Sequence, residues 1–134
     1  MKVLLIGDSV RMFYRDEVSR LLGDGYEVYS PDENCRFASY LLRNFHEYLK
    51  DVDGKDIDVV HWNAGLWDCL RMEDGEPLVP IDLYEKNIAR IQSLINKAFP
   101  NAKSIFATST TVSEAMWKLQ GVSRTSHVSG QQLH

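Results

Sequence analysis

Short strand-like segments alternate with longer stretches of helical periodicity along this chain, and that alternation commits it to a βα architecture. Val3-Leu4-Leu5-Ile6 is a continuous apolar run, the pattern of a strand buried on both faces. Behind it, Val10, Phe13, Tyr14, Val18, Leu21 and Leu22 recur near helical spacing over 10–22, and Gly23-Asp24-Gly25 stops that helix. The cycle then repeats. Residues 26–30 alternate as a strand does before Pro31, and 39–50 place Leu41, Leu42, Phe45, Tyr48 and Leu49 on one helical face. A third strand is expected within 57–65, followed by an irregular connection over 66–80. The spacing predicts the clearest helix over 82–99, with Leu83, Ile88, Ile91, Leu94 and Ile95 on its stripe, and a fourth strand over 103–111. Strands separated by helices imply a mostly parallel sheet with helices on both faces.

Residues 113–134 break the pattern. Ser113–Gln120 has the length of two helical turns, but the remainder offers almost nothing to bury and reads as a tail. The expected organisation is one α/β domain over 1–112 and a divergent C-terminal segment over 113–134. With four strands the chain reads as one βα unit short, which leaves a sheet edge uncovered and open to pairing with a second copy.

Composition narrows the class. The 134 residues suit one domain, and 44% hydrophobic with 25% charged residues is ordinary for a globular protein. A net charge of −4 argues against nucleic acid or an anionic membrane surface as partner. No apolar run approaches the ~20 residues of a membrane span, and the N-terminus enters a strand without a signal-peptide pattern. Cys35 and Cys69 are too few for a disulfide framework and lack metal-site spacing, so no metal or cofactor is expected and the compartment is read as the reducing cytoplasm.

The chemistry concentrates where strands end. Ser9 closes the Gly7-Asp8-Ser9 turn out of the first strand. In one reading it is the N-cap of the following helix, a role serine fills well. In the other, the turn presents its hydroxyl at the carboxyl end of a parallel strand, where open α/β sheets bind ligands and a helix N-terminus adds backbone donors. Asn63 follows the third strand and is expected at the same rim, with an amide able to donate to an oxyanion. A lone asparagine there also suits loop backbone. Trp62, Leu66 and Trp67 are read as core or as pocket wall.

Together, Gly7-Asp8-Ser9 and the later Asn63 resemble the SGNH (GDSL-type) hydrolases. The segments "NCRFASYLLRNFHEYL", "HWNAGLWD" and "IFATSTTV" are similar, in the same order, to one bacterial branch of that family. The resemblance covers about residues 1–112. It implies a flavodoxin-like three-layer fold with sheet order 2-1-3-4 and serine esterase or acyl hydrolase activity on small acyl esters, acetylated carbohydrate among them. It makes Ser9 the nucleophile and Asn63 an oxyanion donor. The family's oxyanion glycine has no counterpart in Asn34-Cys35-Arg36, so that donor is expected to be a backbone N–H near Cys35 or Arg36. Asp8 belongs to the same motif, with fixing the turn as its alternative to meeting substrate. Arg11 is read either as solvated or as meeting an acidic or sugar substrate, and Trp67 as a wall of the substrate site.

The family's late Asp-x-x-His pair is missing, since no aspartate follows Asp82. A serine hydroxyl needs a base to take its proton. His46 falls within a helix and His61 two residues before Asn63, and His127 and His134 lie in the tail. His127 is taken as the candidate base. The alternative is a non-catalytic, truncated or degenerate hydrolase domain that acts as a binding or dimerisation module.

Overall fold

A computed structural model describes residues 1–52 and 56–108. Its elements run β1 (Lys2–Ile6), α1 (Ser9–Leu22), β2 (Glu27–Tyr29), α2 (Ala38–Tyr48), a 3₁₀ turn (Lys50–Val52), β3 (Val59–Trp62), α3 (Ile81–Ala98) and β4 (Lys103–Phe106). The four strands form one all-parallel sheet in the order β2-β1-β3-β4. This is the α/β, flavodoxin-like order expected from the sequence. Residues 113–134, and the possibility of a further βα unit there, lie outside the described residues.

Register fixes which side chains meet. Leu4 pairs with Val60 and Ile6 with Trp62, and Trp62 in turn pairs with Phe106. Leu4, Ile6, Val60 and Trp62 face a core built with Leu41, Phe45 and Tyr48 of α2 and Tyr84, Ile91 and Ile95 of α3. The Trp62 and Phe106 rings lie 4.6 Å apart within it. Successive residues of a strand point to opposite faces, so Val3, Leu5, Val59, His61 and Ile105 face the other way. With Tyr14, Val18 and Leu22 of α1 they line an open groove of about 430 Å³.

Two helical stripes differ from the periodic expectation. On α3, Leu83 and Leu94 are exposed while Tyr84 and Asn87 are buried with Ile91 and Ile95. Polar atoms tie these two inward: Tyr84 donates to the Ala64 carbonyl and Asn87 to Ser39 Oγ at 2.7 Å. On α1, Phe13 is 87% exposed, whereas Arg11 is fully buried. That inversion follows from what Arg11 binds at the rim of the sheet. Gly23 ends α1 at φ 79°, a conformation that favours glycine, and its N–H reaches the Ser19 carbonyl.

Candidate active site

The site sits at the carboxyl ends of β1 and β3. The N-cap of α1 is Asp8, not Ser9: the Asp8 carboxylate accepts the Val10 N–H at 3.0 Å and its carbonyl accepts Met12 N–H at 3.3 Å. Asp8 is 3% exposed, so it fixes the turn and is not positioned to meet substrate. Burial raises its carboxyl pKa above the usual carboxylate value, against the opposing pull of the Val10 N–H and the Arg11 charge. Ser9 is thereby the first residue of the helix. Among the described residues its Oγ and its N–H have no hydrogen-bond partner, and the positive end of α1 lies beneath it.

Asn63 joins this turn directly. Its Oδ1 accepts the Asp8 N–H at 3.1 Å, and its own N–H donates to the Ile6 carbonyl at 3.0 Å. A backbone N–H only donates, so the amide oxygen is the atom that faces Asp8 and the Nδ2 group is turned away from it. Gly7 is needed for this approach. A Cβ there would overlap Asn63 Oδ1 and lie 2.8 Å from its Cγ.

The 31–36 loop packs on the same turn, but it does not supply the expected backbone donor. The Cys35 N–H is spent on the Gly7 carbonyl at 3.0 Å and the Arg36 N–H on Asn34 Oδ1 at 2.8 Å. Among the described residues, the Ser9 N–H and Asn63 Nδ2 remain as donors at the turn. Cys35 itself is buried, with its thiol pKa pushed up by desolvation, so its side chain does not reach a substrate. Arg36 is exposed in a left-handed conformation (φ 57°), with its guanidinium carbon 4.8 Å from the Tyr40 ring centre. Trp67 is half-buried against Phe37, ring centres 6.5 Å apart.

Arg11 meets no solvent, and so neither alternative expected for it holds. Its guanidinium donates to the carbonyls of Gly7, Pro31 and Glu33 and to Ser30 Oγ. Its Nη2 also reaches Cys35 Sγ at 3.7 Å, and a buried charge needs such partners, which the arginine fork supplies where lysine does not.

Sequence reasoning missed Asp68. Both of its carboxylate oxygens accept the Ala38 N–H, at 3.2 and 3.1 Å, so it caps α2 from the loop after β3. Burial, with the Asp8 charge adding to it, raises the Asp68 pKa to about 6. The signal was a helix start with Phe37 at the N-cap and no local side-chain cap.

The two histidines among the described residues stand elsewhere. His61 faces the groove, its Nδ1 3.5 Å from the Tyr14 hydroxyl, and burial lowers its pKa. His46 is exposed on α2 beside Glu47 at 3.1 Å. His127 and His134 lie outside the described residues. Among the described residues no three His, Cys, Asp or Glu side chains converge as a metal site requires, and no helix is long and apolar enough to cross a membrane.

No protein-family model matches the chain, and no curated protein matches it.

Proposed function

We propose that this chain is a serine esterase or acyl hydrolase of SGNH type, acting on small acyl esters such as acetylated carbohydrate. The Asp8–Asn63 hydrogen bond carries this reading, because it turns an amide donor outward one residue from an uncapped serine at a helix N-terminus. Ser9 Oγ attacks the ester carbonyl and gives its proton to a base, for which His127 is the candidate. The Ser9 N–H and Asn63 Nδ2 hold the tetrahedral oxyanion. The proton then passes to the departing alcohol, and water releases the acyl group from Ser9. Neither a cofactor nor a metal has a part in this chemistry. Cys35 and Cys69 are both buried thiols outside any disulfide, which suits a reducing cytoplasm.

One observation favours a second reading, a non-catalytic module that binds ligands or pairs through the β4 edge. The Cys35 and Arg36 N–H groups, where the oxyanion donor was expected, are both committed to other acceptors.

Hydrolysis of a short-chain aryl acetate by wild type, Ser9→Ala and His127→Ala separates the two. Under the esterase reading turnover disappears with Ser9→Ala and falls with His127→Ala. Equal background rates in wild type and Ser9→Ala overturn it, and a concentration-dependent dimer in sedimentation would then support the module.

A further inference from the structure

We propose that Arg11 is a positioning residue for this site: through the Gly7–Asp8 peptide, its buried guanidinium orients the Asn63 amide toward the oxyanion. The proposal rests on the esterase reading for its chemical consequence, but its structural content stands apart from turnover.

The Gly7 carbonyl accepts three hydrogen bonds, from Arg11 Nε at 3.2 Å, Arg11 Nη2 at 2.9 Å and the Cys35 N–H at 3.0 Å. The same peptide unit donates on its other side, from the Asp8 N–H to Asn63 Oδ1. Donors drawn to the oxygen of an amide polarise its N–H, so the bonds along such a chain strengthen one another in a low-dielectric interior. Arg11 is 0% exposed, and its remaining donors go to Ser30 Oγ at 2.8 Å and the Pro31 and Glu33 carbonyls. One side chain therefore fastens the loop after β2 to the turn after β1, and that turn holds the asparagine after β3. With Oδ1 held by Asp8, the Asn63 amide cannot flip without losing that bond, so Nδ2 keeps one direction. A hydrogen-bond donor for an oxyanion is effective to the extent that its direction is fixed before charge develops.

Lysine cannot take this place. Its single ammonium cannot put two nitrogens on Gly7 O while reaching Pro31 and Glu33. Arg11→Gln leaves no buried charge and reaches Gly7 with one nitrogen at most, so it serves where Arg11→Lys does not fold.

The test is made on the full chain. In ¹⁵N-resolved spectra, Arg11→Lys or Arg11→Gln is expected to shift the Asp8 amide and the Asn63 side-chain amide relative to wild type. In aryl acetate hydrolysis, Arg11→Lys is expected to lower kcat by about ten-fold with little change in KM, and by less than about two-fold in an Asn63→Ala background. A purely structural role predicts the same loss in both backgrounds, and that result overturns the proposal. If wild type shows no turnover that depends on Ser9, the esterase reading fails and the spectra decide alone. Unmoved Asp8 and Asn63 amides in a folded Arg11 variant then overturn the relay.

Discussion

Gly7 and Asn63 exclude a side chain at one of them: the asparagine amide occupies the space that a Cβ on Gly7 would need. Gly7→Ala therefore forces Asn63 away from the Asp8 N–H, at a cost of roughly 1–3 kcal/mol for overpacking, together with loss of aryl acetate turnover. Gly23→Ala is the control. Its φ of 79° strains an alanine, yet nothing lies within 4 Å of the added Cβ. A stability loss on the order of 1 kcal/mol with turnover intact is expected there, read from denaturant midpoints beside initial rates.

Ser9→Ala distinguishes a cap from a nucleophile without any substrate. Serine caps lose about 1 kcal/mol when replaced by alanine, but here Asp8 holds the Val10 N–H and Ser9 is already helical. The denaturation midpoint of Ser9→Ala should match or exceed that of wild type, while Asp8→Ala should lose about 1–2 kcal/mol. A comparable loss in Ser9→Ala would return the cap to Ser9.

Asp68 makes stability depend on pH in the direction opposite to most carboxylates. Its folded pKa of about 6 lies above the ordinary 3.8, so the folded state holds the proton more tightly. Its contribution is complete below pH 3.8 and is lost as the pH rises through 6. Two pKa units of difference amount to about 3 kcal/mol. Asp68→Asn keeps an oxygen for the Ala38 N–H and removes this dependence. Relative to wild type, the variant should gain stability between pH 4 and pH 7, by up to about 3 kcal/mol in urea titrations at the two ends.

His61 titrates with the other sign. Burial lowers its pKa beneath the ordinary 6.5, so its contribution is complete above 6.5 and is lost as the pH falls through the lower folded value. His61→Asn should blunt that acid-side loss. Because His61 faces Tyr14 in the groove, the substitution should also leave aryl acetate turnover unchanged. A large fall in turnover would make His61 the base.

Strand positions were legible because they are written locally, at Val3–Ile6 and within 57–65, whereas the order that pairs Val3–Ile6 with Val59–Trp62 came with the family resemblance and not from the runs themselves. The placement of Ser9 and Asn63 at one rim followed from the same strands. Arg11 was not legible, since its burial depends on carbonyls at Pro31 and Glu33 that only the folded loop brings to it. Phe13 and Leu83 were misjudged for the complementary reason. Helical spacing marks an apolar stripe but does not say which edge of it turns inward, and polar anchors at Arg11 and Tyr84 settled the rotation. Asp68 escaped notice because the missing local cap at Phe37 says that a partner is needed, but not which distant loop supplies it.

Two of the three tryptophans occupy unlike surroundings, and that gives the chain a pair of optical probes. Trp62 lies at 0% exposure against Phe106, shielded from anything that binds at the rim. Its emission reports the integrity of the sheet. Trp67 is half-buried and lies obliquely against Phe37, so its emission reports solvent contact in the loop after β3. With Trp117 replaced by phenylalanine as a common background, the same change at Trp62 or Trp67 separates the two signals, so that the sheet and the loop after β3 can be followed by colour in a single cuvette.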